Sequence, residues 1–186
     1  MPSVSCEYCG FVFQFSKKEW RYFDHQGPFI CSPCCLIDCI NMSVKVPSKN
    51  YNLGIRYHHT GKIHKRFDGS VQDETNRLLQ GRQLRSFYEK IVAEILAFHN
   101  IPFIYEGYTF SWGTKVYTPD FYIVGKDLFL EMKGQWGASQ KSKLQSFRDS
   151  FHDYQVLIIP WAIYDQFVRY WKNHKKDLGC YTVRGE

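Results

Sequence analysis

From about Arg82 onward the hydrophobic positions follow a regular plan. Leu84, Phe87, Tyr88, Ile91, Ile95 and Phe98 recur at three- and four-residue intervals, which predicts a helix ended by Asn100 and Pro102. Residues 103–110 read as a strand and Trp112-Gly113 as a turn. Residues 116–124 read as a second strand, Gly125-Lys126 as a second turn and 127–133 as a third strand. Within the third, Leu128, Phe129, Leu130 and Met132 form a nearly unbroken apolar run, the mark of a central strand covered on both faces. Residues 139–151 form an amphipathic helix, 155–159 a buried strand stopped by Pro160, and 162–174 a last helix. Helix, three strands, helix, strand, helix is a mixed α/β plan with helices for both faces of a sheet.

Upstream the pattern changes. Residues 44–81 are polar, basic and turn-rich, with no sustained period, and read as a linker holding a short hairpin at most. Residues 1–43 stand apart because they hold six of the seven cysteines. The expected division is a metal-binding module over 1–43, a basic linker over 44–81 and an α/β domain over 82–186.

No apolar run is long enough to cross a membrane. Residues 1–10 carry neither the basic nor the apolar region of a signal peptide. The expected setting is therefore cytoplasmic, or nuclear in a eukaryote, where thiols stay reduced and cysteines serve as metal ligands before disulfides. A net charge of +6 has the sign needed for a polyanionic partner.

Cys6-x2-Cys9 and Cys31-x2-Cys34 form two pairs whose spacing lets both sulfurs of each pair reach one tetrahedral zinc ion. Phe11, Phe13, Phe15, Trp20, Tyr22 and Phe23 lie between the pairs and suggest a hairpin too small to bury its own core. Cys35 and Cys39 could each replace Cys34, but read as small core residues on the following helix. The segment resembles treble-clef or zinc-ribbon modules through Cys6, Cys9, Gly10, Phe13, Trp20, Phe23, Gly27, Cys31 and Cys34. Four thiolates fill the tetrahedron, so the zinc is expected to be structural. A chain starting near Val44 is expected to fold without it.

The chemically informative residues lie in the second and third strands. Asp120 is followed by Glu131 and Lys133, two apart and hence on one sheet face. The turn at Gly125-Lys126 brings Asp120 toward Glu131. Two carboxylates make a hard oxygen site suited to magnesium or manganese, and a lysine beside them can hold or deprotonate water. That set suffices for metal-assisted phosphodiester hydrolysis. An exposed cross-strand ion pair is the simpler alternative, but the apolar flanks of Glu131 argue against it.

The stretch Tyr117-Thr-Pro-Asp120-Phe, then Glu131-x-Lys133-Gly-x-Trp136, resembles the PD-(D/E)xK nuclease superfamily. Within it the resemblance is greatest to the junction-resolving endonuclease I of certain phages. Ser86-x-x-Glu89, Asn100-Ile-Pro-Phe-x-Tyr105-Glu106 and a basic helix with Lys141, Lys143 and Arg148 extend it over about 86–160. The resemblance implies a restriction-endonuclease-like mixed sheet flanked by helices. It implies that Asp120 and Glu131 bind metal with the Met132 carbonyl, and that Lys133 orients the attacking water. It also implies that Glu89 is a further, water-mediated ligand. Periodicity places both Glu89 and Glu94 at the borders of the apolar helix face, and only the resemblance selects Glu89. A further acidic residue of that family falls at Ile104, with Glu106 two positions along, and the connection to Tyr117 is shorter. The implied products carry 5′-phosphate and 3′-hydroxyl ends, and a homodimer is an assembly to look for.

Arg56, Lys62, Lys65 and Arg66, beside Tyr57 and three histidines, read either as a phosphate-contacting arm or as a solvated connector. Lys141, Lys143 and Arg148 are candidates to hold DNA near the metal. The expected function is a metal-dependent DNA endonuclease, phage-encoded if the resemblance extends so far. The alternatives are a sequence-specific enzyme of homing, restriction or repair type, or a non-catalytic nucleic-acid-binding adaptor.

Overall fold

Two short interruptions divide strands that the hydrophobic pattern joins. The computed structural model describes residues 3–6, 9–10, 12–14, 30–42, 56–58, 61–65, 84–126, 128–133 and 137–178. The expected strand over 103–110 is two strands, β5 (Phe103–Tyr105) and β6 (Tyr108–Trp112). They are separated at Glu106, whose φ of 44° is left-handed and ends the extended run. The expected strand over 116–124 is likewise β7 (Lys115–Tyr117) and β8 (Phe121–Ile123). Between them lies Pro119, which has no N–H to give a ladder. Each break sends the chain from one sheet to another.

One sheet has the order β10-β9-β8-β5, with β9 (Leu128–Lys133) and β10 (Gln155–Pro160) parallel and the other pairs antiparallel. The apolar β9 is central, as its sequence predicts. The other sheet has the order β3-β4-β6-β7. Its first two strands, β3 (Arg56–His58) and β4 (Gly61–Lys65), are a hairpin from the segment read as a linker. β4 pairs with β6 through Ile63↔Phe110. At Gly61 a Cβ would lie 2.5 Å from the Ser111 carbonyl oxygen and 2.7 Å from the Phe151 ring, so the hairpin seats there only because the residue is glycine. Gly113 and Gly125 hold the positive φ of the two predicted turns.

Alternation along the strands sorts the core into two sides. Phe121, Ile123, Leu128, Leu130, Leu157 and Ile159 face a cluster shared with α2 (Phe87–Phe98) and α4 (Tyr164–Leu178). Tyr122, Phe129, Val156 and Ile158 face a second cluster shared with α3 (Ala138–Ser150) and the other sheet. α3 buries only Leu144 and Phe147, each worth roughly 1.5–3 kcal/mol. α2 is capped by Ser86, whose hydroxyl accepts from the Glu89 N–H at 3.1 Å. Described residues thus form a mixed α/β structure with helices on both faces of one sheet.

The N-terminal region is joined to this core. β1 (Ser3–Ser5) and β2 (Val12–Gln14) form a small hairpin, and α1 (Pro33–Met42) follows Cys31. Leu36, Ile37 and Ile40 of α1 belong to the same cluster as α2 and α4. Lys126 Nζ also donates to the Asn41 carbonyl at 3.4 Å. Phe11, Phe15, Trp20, Tyr22 and Phe23, from which the aromatic hairpin was expected, lie outside the described residues.

Candidate functional site

Asp120 immediately precedes β8 and Glu131 lies on the neighbouring antiparallel β9, one step beyond the register pair Phe121↔Leu130. The alternation that puts Phe129 on the α3 side puts Glu131 there too, with Lys133 two residues on. Glu131 is 2% exposed, and its Oε1 is ion-paired with Lys133 Nζ. Its Oε2 accepts from the Tyr117 hydroxyl at 2.9 Å. Asp120 Oδ2 accepts from the Met132 N–H at 2.7 Å, which ties the start of β8 to β9. The Asp120 carbonyl in turn accepts from the Glu106 N–H at 2.8 Å. The strained residue at the end of β5 therefore braces the backbone of the carboxylate opposite.

Glu89 reaches the same edge of the sheet from α2. Its Oε2 accepts from the Tyr105 hydroxyl at 2.6 Å and from the Arg85 N–H at 2.8 Å. Its charge is felt at Asp120. Glu94, the other acidic residue at the border of the helix face, accepts from the Trp171 indole and lies 3.8 Å from Lys90. It therefore fastens α2 to α4. Glu106 pairs with Arg85 at 3.0 Å.

Burial pushes the Asp120 carboxyl up from 3.8 to about 8. The neighbouring Glu131 adds to the rise, while the Met132 N–H and Lys133 oppose it. Burial pushes Glu131 upward too, against Lys133 and the Tyr117 hydroxyl. Tyr117 is itself driven up by burial and by the Glu131 charge. The edge therefore gathers two acids in a place where charge is costly, so burial favours their protonated forms. Tyr117 and Tyr105 were not legible as site residues. They reach the acids across a sheet boundary or from another strand, and no spacing in the chain encodes that.

The cysteines gather differently from the sequence expectation. Sγ atoms of Cys6, Cys9, Cys31 and Cys35 all lie within 4.8 Å of one another, an arrangement able to hold a metal ion such as zinc. Cys9 and Cys31 are 3.4 Å apart, and Cys31 and Cys35 are 3.3 Å apart. Four thiolates around zinc stand about 3.8 Å apart, so little adjustment is needed. Cys34, the expected fourth ligand, is exposed and outside this group. The reason is the helix start. Ser32 Oγ accepts from the Cys35 N–H at 3.2 Å, so the chain is already helical there. Cys31 precedes the helix, and within its first turn Cys34 lies about 100° round the axis from Cys35, so Cys35 is the one that joins the other thiols. Burial and neighbouring thiols raise the Cys31 thiol, so filling the site with metal would release protons. Cys39, one turn further on, packs against the core.

Comparison with family models, curated proteins and solved structures returns no match.

The basic residues are only partly placed. Lys62 is exposed on β4. Arg56 and Lys65 lie in β3 and β4, but their side chains, and all of Arg66, are outside the described residues. Lys141 and Lys143 are on α3, half-buried and exposed respectively. Arg148 is half-buried, and its charge acts on Tyr117. It therefore lies on the side of the Tyr117–Glu131 pair. Among the described residues no helix is long and apolar enough to cross a membrane.

Proposed function

We propose that this protein is a metal-dependent DNA endonuclease of the PD-(D/E)xK type, with a structural zinc at its N-terminal cysteines. The observation that carries the reading is the convergence of Asp120, at the entry to β8, on Glu131 of β9, with Lys133 ion-paired to Glu131. A mixed sheet with helices on both faces is in keeping with the restriction-endonuclease-like fold that the sequence motifs suggest.

The donor set suits a small divalent cation. Asp120 and Glu131 supply hard oxygens at a site where burial disfavours ionisation of both acids and the Glu131 charge adds to the effect at Asp120. Asp120 and Glu131 would hold magnesium or manganese, with the Met132 carbonyl as the further ligand the resemblance implies. The ion, when bound, polarises the phosphate and stabilises the leaving oxygen. The chain's own groups do the rest. Tyr117 fixes one Glu131 oxygen, which leaves the other facing Lys133. Lys133 is set to hold the attacking water and to take or guide its proton. Tyr105 fixes Glu89 beside the pair. Cys6, Cys9, Cys31 and Cys35 would hold zinc with no open position, so that ion has no catalytic part.

The test is incubation of purified protein with supercoiled plasmid, a four-way junction and single-stranded DNA. Cleavage in magnesium or manganese that stops with chelator is expected. If no substrate is cut with either ion, the endonuclease reading falls and a nucleic-acid-binding adaptor takes its place.

A further inference from the structure

The edge of the sheet that carries the acids also carries an exposed indole. Pro160 ends β10 as the register partner of Lys133. The chain then enters a 3-10 turn, Trp161–Ile163, that leads into α4. Trp161 therefore leaves the sheet beside Lys133. Its ring lies flat on Tyr164, with centroids 4.4 Å apart and planes 5° apart. Tyr88, the residue before Glu89, meets Trp161 edge-on at 5.8 Å and Tyr164 edge-on at 4.8 Å. The Tyr88 hydroxyl donates to the Pro160 carbonyl at 3.5 Å. The indole is thus fixed by packing from behind, yet it is 54% exposed.

A scattered exposed apolar residue needs no explanation. Trp161 differs in two respects. Its orientation is already held by Tyr164 and Tyr88, so little side-chain freedom is lost when something stacks on it. It also follows Pro160, the register partner of Lys133, and its ring packs on Tyr88, the residue before Glu89, at the end of the sheet where the acids lie. A phosphodiester seated at Asp120, Glu131 and Lys133 brings its own bases to this edge. A flat aromatic ring is a sequence-tolerant surface for any base with a free face. A base inside a continuous duplex has none to offer.

We propose that Trp161, backed by Tyr164, is a stacking platform for an unpaired base flanking the scissile phosphate. The preferred substrate is then DNA with an unpaired base beside the cut, in a single strand or a flap. This rests on the nuclease reading above and deepens it.

The test is equilibrium binding, in calcium, of a short fluorescent oligothymidine and of a fully paired duplex to full-length wild type, Trp161→Ala and Trp161→Phe. Trp161→Ala is expected to weaken oligothymidine binding by about five- to a hundredfold, the scale of one base–aromatic stack, with Trp161→Phe recovering most of it. The loss on duplex should be smaller. Quenching of tryptophan emission by oligothymidine should shrink in Trp161→Phe, a readout that does not depend on the alanine variant folding. Equal oligothymidine affinity and equal quenching in all three proteins would overturn the platform. If wild type still binds duplex and cuts it in magnesium, the nuclease reading then survives alone. A change from dimer to monomer in Trp161→Ala at unchanged oligothymidine affinity would make this face a self-association surface instead. Wild type that binds neither DNA would overturn both readings.

Discussion

The hydroxyl of Tyr117 donates to Glu131 Oε2 at 2.9 Å and joins the two sheets at the candidate site. Tyr117 comes from β7 in one sheet and Glu131 from β9 in the other. Tyr117→Phe keeps the ring packing on Phe147, whose centroid is 4.8 Å away, and removes only the donor. A buried carboxyl that loses such a partner costs about 1.5–3 kcal/mol. Urea unfolding should show that loss, and divalent-ion affinity should fall as well because Glu131 is no longer oriented. Wild-type values for both would show that the bond fixes nothing.

Asp120 sets a pH dependence. Its folded value of about 8 lies above the ordinary 3.8, so the fold favours its protonated form. Without metal, this group's contribution is most favourable below the unfolded value and is lost as pH rises toward 8. Metal must displace that proton, so its apparent affinity should rise about tenfold per pH unit below the folded value. The increase in melting temperature caused by magnesium or manganese should therefore be larger at pH 8 than at pH 6. A shift independent of pH across that window would place the ion elsewhere.

In the cleavage reaction, Asp120→Ala and Lys133→Ala should each lose at least about a hundredfold in rate, the scale of one general acid–base or metal-ligating group. DNA affinity should largely remain, since phosphate contacts elsewhere supply most of it. Cleavage by Lys133→Ala at the wild-type rate would remove Lys133 from the mechanism.

The cysteine cluster makes a discriminating pair of variants. Elemental analysis should find one zinc per chain in wild type and in Cys34→Ser, and little in Cys35→Ser. The reverse result would restore Cys34 as the fourth ligand.

Removal of residues 1–43 should destabilise the α/β core, contrary to the expectation that a chain starting near Val44 folds unaided. Leu36 and Ile40 are 0% and 2% exposed in the cluster shared with α2 and α4. Each such side chain contributes roughly 1.5–3 kcal/mol, against a whole-domain stability of about 5–15 kcal/mol. A chain beginning at Val44 should melt at much lower temperature or without cooperativity, and zinc chelation should lower the melting point of the full chain. A truncated protein as stable as the full chain would show that α1 adds nothing to the core.

Sequence alone determined the elements whose signals are local. The period of Ile91, Ile95 and Phe98, the apolar run of β9 and the glycines of the two turns act within a few residues, so they are written in the chain. The pairing of Asp120 with Glu131 was legible for the same reason, since a short turn fixes the register of neighbouring strands. Tertiary structure decided what depends on contacts far apart. Pro119 and Glu106 divert the chain between sheets, and only the assembled sheets bring Tyr117 to Glu131 and the 56–65 hairpin onto β6. The choice between Cys34 and Cys35 turned on where α1 begins. A shift of one residue rotates a side chain by about 100°, and cysteine spacing does not specify that rotation.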